Sequence, residues 1–375
     1  MIIGVPKEVK NEEYRVAMTP MAAAVLTQAG HRVLIQAAGG EGSGFSDKEY
    51  ADAGAKVVNS AKEAYSQADM IYKVKEPISS EYPLLRREQI LFTYLHLANE
   101  LKLTQVLMDG GVTGVAYETV QLADGSLPLL TPMSQIAGRL ATQIAAQYLG
   151  RMYKGSGKLL GGVPGVLPAT VAIIGGGTVG TEAAKVALGM GARVIITDID
   201  VNRLRYLSEV LHGRLETLAS NSYNIANAVK EADVVVGAVL VAGGKPPIVV
   251  TRDMVKTMKP GSVIVDVAVD QGGCIETTRP TSHSDPVYVV DDVIHYCVTN
   301  MPGIVPRTST QALCNATLPY ALRLANQDFV KAIKGNETLA KGVNTFNGHL
   351  TNEPVSRALG IPYTPLDRVM GGLSR

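Results

Sequence analysis

A chain of 375 residues is too long for a single compact core, so two domains are expected. With 46% hydrophobic and 18% charged residues, a net charge of +1, no tryptophan and four phenylalanines, the chain reads as globular, with neither a basic face nor stacking platforms for nucleic acid. Cys274, Cys297 and Cys314 lack metal-site or disulfide spacing, Met1-Ile-Ile-Gly-Val-Pro-Lys7 lacks a signal-peptide core, and no run reaches the roughly 20 apolar residues of a membrane span; buried thiols, no metal, no membrane and a cytoplasmic location are therefore expected.

The first third alternates short apolar runs with helical ones. Strands are predicted over residues 2–5, 31–36, 55–58, 70–74 and 89–95. Between them lie helices over 47–53, 61–67 and a first one from Pro20, capped by Thr19 and stopped by Gly30. Such alternation predicts a parallel sheet covered on both faces. Gly39-Gly40-Glu41-Gly42-Ser43-Gly44 has no strand–turn–helix frame and reads as a flexible loop. A long helix over 134–152, with Ile136, Ala137, Leu140, Ile144, Ala145 and Tyr148 at helical spacing, is long enough to bridge two domains.

Beyond it, the strand Val171 to Ile174 runs into Gly175, Gly177 and Gly180 at G-x-G-x-x-G spacing, then an apolar helix and a second strand closed by Asp198. Gly175 permits a tight turn, Gly177 lets the backbone approach a pyrophosphate, and Gly180 lets helix and strand pack closely. The helix N-terminus favours phosphate, and Asp198 suits the ribose hydroxyls, favouring NAD over NADP. A tight strand–helix turn is the plainer alternative, but strand, helix and acid at these distances favour the cofactor. The unit continues with strands over 215–218, 233–240 and 262–270, helices over 202–211, 223–230 and 251–258, and shorter strands over 287–290 and 294–298. A helix from Thr308 to about Asn326, which Pro319 should kink, crosses back to the first domain. The expected fold class is therefore α/β, with two doubly wound Rossmann-like domains joined by long helices and a cleft between them: residues 1–128 with 307–375 for substrate and catalysis, 129–306 for NAD.

In open α/β sheets ligands lie beyond the carboxyl ends of strands. Four polar residues occupy such places: Arg15 after the first strand, Lys75, His96 and Asp270 at the ends of later ones. A guanidinium suits a substrate carboxylate. A lysine can bind that carboxylate or polarise a carbonyl, and a histidine can exchange a proton as hydride leaves. A carboxylate can orient ammonia or water and stabilise an iminium. Each also has a plain structural reading: surface charges for Arg15 and Lys75, a hydrogen-bonded strand-end histidine for His96, a cap or turn former for Asp270.

The segments Gly4-Val-Pro-Lys-Glu8, Lys73-Val-Lys-Glu-Pro77, Leu91-Phe-Thr-Tyr-Leu-His-Leu97, Pro128-Leu-Leu-Thr-Pro-Met-Ser134, the glycine turn, Val267-Ala-Val-Asp-Gln-Gly-Gly273 and Asn300-Met-Pro-Gly303 carry a resemblance over nearly the whole chain. The sequence resembles the bacterial L-alanine dehydrogenases of the alanine dehydrogenase/transhydrogenase family. The resemblance implies reversible, NAD-dependent oxidative deamination of L-alanine to pyruvate and ammonia, as part of alanine degradation, by a homohexamer. It implies that Arg15 and Lys75 bind the substrate, that His96 is the acid/base and that Asp270 is the second catalytic residue. NAD contacts are implied for Ser134, Val179, Asp198, Arg203, Ser220, Val239, Leu240, Val267, Asn300 and Met301. Thr299 stands where a proline is expected, and residues after Gly342 match loosely. Two similar activities are the alternatives: the NAD(H)-binding component of a proton-translocating transhydrogenase, which would not need Lys75 and His96, and a lysine-pathway dehydrogenase with a larger substrate.

Overall fold

Short buried aliphatic runs become most of the strands of the computed structural model, which describes residues 1–239 and 246–371. In chain order they are β1 (Ile2–Val5), β2 (Arg32–Gln36), β3 (Lys56–Val58), β4 (Met70–Tyr72), β5 (Ile90–Thr93) and β6 (Thr113–Ala116), then β7 (Thr170–Ile174), β8 (Arg193–Asp198), β9 (Leu215–Ala219), β10 (Val234–Gly237), β11 (Val263–Asp266), β12 (Val287–Val290) and β13 (Val293–Tyr296), and finally β14 (Val343–Phe346) and β15 (His349–Leu350). The chain forms two compact units, Met1–Met133 with Gly303–Arg375, and Ser134–Pro302.

The first unit carries the sheet β15-β14-β6-β5-β4-β1-β2-β3. From β3 to β6 it is parallel, in the doubly wound order 3-2-1-4-5-6. β14 pairs antiparallel with β6, and β15 with β14, so the C-terminal segment adds a mixed edge that strand–helix alternation in the first third did not foretell. Buried residues of the strands pack with Leu103, Leu107 and Val355 from flanking helices. The predicted first helix is Pro20–Gln28; the Thr19 hydroxyl accepts the Ala22 N–H at 3.3 Å and Pro20 opens the first turn, where its missing N–H costs nothing.

The second unit carries β12-β13-β11-β10-β7-β8-β9, the order 3-2-1-4-5 from β9 to β11 extended by parallel β13, with only β12 antiparallel. The long helix predicted over 134–152 is Thr131–Tyr148, followed by a separate single turn, Arg151–Tyr153. It starts earlier because Pro132 is tolerated in a first turn, and Gly150 ends it. Gly138 lets it sit hard against the next helix, since a β-carbon there would lie 2.2 Å from the Val179 carbonyl oxygen. The Thr142 hydroxyl donates to the Ala183 carbonyl in the same contact. The helix expected from Thr308 is Pro306–Asn326, and it runs through Pro319. All three cysteines are buried free thiols; burial pushes Cys297 up to about 12, so it stays protonated and inert. Among the described residues, no helix is long and apolar enough to cross a membrane.

Candidate active site

In the second unit the strand order reverses between β7 and β10, which is where a doubly wound sheet binds a dinucleotide. The glycines occupy that point and each has a distinct geometry. Gly175 has φ +107° and abuts the loop after β10: a β-carbon would lie 2.7 Å from the Ala238 carbonyl oxygen. A β-carbon on Gly180 would lie 1.9 Å from the Gly175 carbonyl oxygen, so the helix Thr178–Gly189 can approach β7 only with glycine there. A β-carbon on Gly177 would meet nothing within 4 Å; it would enter open space at the helix N-terminus, where unpaired N–H groups suit an anion.

Asp198, Arg203, Ser220, Val179 and Val239 lie around this turn. Asp198 ends β8 and accepts the Gly176 N–H at 2.7 Å and the Asp200 N–H at 2.8 Å. Arg203 donates from Nε to the Gly176 carbonyl at 2.7 Å and from Nη2 to the Thr181 hydroxyl at 2.8 Å, bracing the turn from behind. The Ser220 N–H donates to the Asp198 carbonyl at 2.8 Å. Val179 lies half-buried in the first helical turn, Val239 half-buried just after β10, and Ser134 half-buried near the start of the helix Thr131–Tyr148. Leu240 falls outside the described residues. These groups fit a dinucleotide.

Asp270 does not end a strand, as its sequence context had suggested. β11 stops at Asp266, whose buried carboxylate accepts the Ala268 N–H at 3.1 Å and turns the chain into a short helical segment, Val267–Gln271. Gly272 (φ +105°) and Gly273 (φ +76°) then bring the Cys274 N–H back to the same carboxylate at 3.1 Å. Burial raises the Asp266 pKa despite these donors and the Thr278 hydroxyl. Asp270, exposed on the turn, accepts the Asn300 N–H at 3.3 and 3.2 Å, and Asn300 itself is left-handed (φ +58°). Val267 is half-buried and Met301 buried nearby in sequence to each. Two separately implied residues, Asp270 and Asn300, are thus direct partners.

In the first unit the order reverses between β1 and β4, and the polar residues gather at the carboxyl ends of β1, β4 and β5. Arg15 is no surface charge: it is 2% exposed, and Glu13 takes its Nε and Nη2 at 2.6 Å each. Its Nη1 lies 3.1 Å from the Met133 sulfur. Burial works against the guanidinium charge, but Glu13 more than offsets it and holds the pKa above the ordinary value. The Gly39–Gly44 stretch is not a loose loop but packs beneath this segment through a short turn, Glu41–Ser43. The Ser43 hydroxyl, facing the Tyr14 carbonyl, reaches the Thr310 hydroxyl at 2.8 Å, and Thr310 accepts the Val16 N–H at 3.0 Å.

Lys75 and Lys73 leave β4 into different surroundings. Lys73 is fully buried, 3.2 Å from Glu8 and 2.9 Å from Glu81, and these carboxylates outweigh burial to keep its ammonium above the usual range. The Val74 N–H donates to Glu8 at 2.7 Å, so the buried cluster anchors the segment that presents half-buried Lys75. Next to it, Glu76 is buried and ion-paired to Lys10, and one of its oxygens has no hydrogen-bond partner. Burial alone would raise Glu76, but His96, Lys75 and Lys10 hold it below the ordinary carboxylate value, which places the imidazole and both ammonium groups in its field.

His96 lies three residues past β5, half-buried, with φ +49°. Its ring is parallel to that of Tyr94, centroids 5.7 Å apart, and the buried Tyr94 hydroxyl donates to the Leu129 carbonyl at 2.7 Å. Arg15 and Tyr94 are also within each other's field. Glu13, Glu76, Tyr94 and Glu118 went unread in the sequence, although Glu13-Tyr-Arg15 and Lys75-Glu76 place two of them beside residues that were singled out.

Two family models match, described as "Alanine dehydrogenase/PNT, N-terminal domain" over residues 4–137 and "Alanine dehydrogenase/PNT, C-terminal domain" over 141–353. The chain is 56% identical over 371 residues to an alanine dehydrogenase of Methanococcus maripaludis, covering 99% of this chain and 100% of that one. It is 53% identical over 364 residues to one of Mycolicibacterium smegmatis, covering 97% and 98%. A solved L-alanine dehydrogenase superposes with a TM-score of 0.93 at 55% identity, over 96% of this chain and 99% of that one. A transhydrogenase from Sinorhizobium meliloti superposes with a TM-score of 0.81 at 24% identity, over 93% and 100%, and shares the fold.

Proposed function

The chain belongs to the alanine dehydrogenase/PNT family, and from that premise we propose that it is an NAD-dependent L-alanine dehydrogenase, interconverting L-alanine and pyruvate with ammonia. The observation that carries the substrate assignment is the gathering of a buried guanidinium, a half-buried ammonium and an imidazole at the carboxyl ends of β1, β4 and β5. The cofactor, when bound, accepts hydride from the substrate Cα.

Arg15 and Lys75 hold the small substrate by its carboxylate. Glu13 pairs with Nε and Nη2 of Arg15 and so fixes the plane in which the guanidinium can meet a substrate carboxylate. Loss of hydride leaves an iminium at Cα. His96 takes a proton from the attacking water, giving a carbinolamine, and returns it to the amine; as ammonia leaves, His96 takes the carbinolamine hydroxyl proton and the pyruvate carbonyl forms. Asp270 stabilises the cationic iminium and orients water and ammonia. Asp198 accepts hydrogen bonds from the adenine ribose hydroxyls and repels a 2′-phosphate, so NAD is preferred to NADP. Gly177 leaves room for the pyrophosphate. The same family resemblance underlies the expectation of a homohexamer in the cytoplasm, which light scattering and cell fractionation test.

The direct experiment mixes the purified chain with NAD and a panel of L-amino acids and follows reduced nicotinamide by absorbance. L-alanine should give the highest kcat/KM, and the reverse reaction should require pyruvate and ammonium together. Reduction of NAD by a bulkier amino acid in preference to alanine would overturn the substrate assignment.

A further inference from the structure

We propose that Glu118 is the positioning residue for His96, fixing the imidazole through the backbone. The inference rests on the reading of His96 as the acid/base. β5 and β6 run parallel with Thr93 paired to Ala116; His96 lies three residues past the first strand and Glu118 two past the second. The Glu118 carboxylate accepts the His96 N–H at 2.6 Å and the Leu95 N–H at 3.2 Å to both oxygens. Two successive backbone N–H groups converging on one anion form a nest, and here the nest includes a non-glycine residue in the left-handed region.

That conformation sets where the His96 side chain leaves the chain. An L-residue at φ +49° and ψ +34° is intrinsically disfavoured, and the Glu118 carboxylate supplies the contact specific to it. Glu118 is itself fixed on both sides. The Tyr117 hydroxyl donates to the Lys73 carbonyl at 2.9 Å, and the Thr119 hydroxyl donates to the Asn344 side-chain oxygen at 2.8 Å. The side chain therefore hangs from a rigid turn, and its length and its acceptor oxygen are what the His96 turn requires. Stacking on Tyr94 then holds the ring plane once the backbone is set.

The test compares Glu118→Gln, Glu118→Asp and Glu118→Ala with the parent and with His96→Ala, measuring kcat and KM for L-alanine and the affinity for NAD. Glutamine keeps the reach and an acceptor oxygen without charge; aspartate keeps the charge but is one methylene short. Positioning predicts that Glu118→Gln stays within about tenfold of the parental kcat. Glu118→Asp and Glu118→Ala should lose about 10²-fold, the cost of a displaced catalytic group, with NAD affinity and KM nearly unchanged. The Gln and Asp variants decide the matter even where Glu118→Ala does not fold. Glu118→Asp more active than Glu118→Gln would mean that charge, not placement, matters, and parental kcat in Glu118→Asp would mean no role at all. Either result overturns the inference while a crippled His96→Ala leaves the acid/base reading standing; a fully active His96→Ala would instead remove that reading itself.

Discussion

Holding an imidazole at φ +49° costs on the order of 1–3 kcal/mol of backbone strain, which is tolerated only where the surroundings over-determine the conformation. Around His96 they do, through the Glu118 carboxylate and the Tyr94 ring. In the proposed role His96→Ala lowers kcat by about 10²- to 10⁴-fold while NAD binding, measured by fluorescence titration, is retained. Arg15→Lys is not conservative, because a lysine cannot reproduce the two-pronged pairing with buried Glu13. It should raise KM for alanine by at least about tenfold and lower the melting temperature; an unchanged KM would separate the guanidinium from the substrate. Asp198→Gly should narrow the preference for NAD over NADP, checked by the ratio of kcat/KM values. Residues of this kind differ in how legible they are. Asp198 declares itself by its distance from the glycines, whereas Glu118 touches His96 from 22 residues away, and nothing in the intervening sequence marks the pair.

At the scale of elements, the glycine turn was readable because each glycine answers a separate steric demand, and those demands produce opposite mutants. Gly180→Ala forces a β-carbon into the Gly175 carbonyl and should destabilise the second unit by several kcal/mol, read by chemical denaturation. Gly177→Ala adds its carbon in open space; stability should stay near that of the parent while NAD affinity falls, since the added carbon enters the phosphate's space. Equal NAD affinity in Gly177→Ala and the parent would move the pyrophosphate elsewhere. The end of β11 shows where apolar pattern misleads. Residues 263–269 form one apolar run broken only by Asp266 and read as a single strand, yet the Asp266 side chain captures the Ala268 N–H and diverts the backbone four residues before Asp270. A side chain competing for backbone hydrogen bonds leaves no periodicity to read.

At the scale of the molecule, the same winding occurs in both units, and strand–helix alternation revealed that much. The C-terminal strands β14 and β15 were missed because a pair of short strands at an antiparallel edge has little sequence signal beside the parallel core. The second unit also carries a pH-dependent element of stability. His295 is fully buried on β13, its Nδ1 side 2.9 Å from the Val293 carbonyl and Nε2 2.7 Å from the Thr277 hydroxyl, and burial lowers its pKa below the ordinary 6.5. The unfolded chain therefore binds the proton more readily. This contribution is complete above pH 6.5 and is lost as pH falls below it. His295→Gln should flatten the fall in melting temperature below that pH relative to the parent; parallel curves would assign the pH dependence to carboxylates alone.

In the proposed function this fold oxidises L-alanine with NAD, using His96 as its acid/base. Steady-state turnover of L-alanine and NAD by the purified chain, set beside His96→Ala at equal NAD occupancy, tests it most directly. Robust reduction of NAD by the parent and loss of about 10²-fold or more in the variant are expected. A parent that binds NAD yet reduces none with L-alanine, or a variant that turns over as fast as the parent, would contradict it.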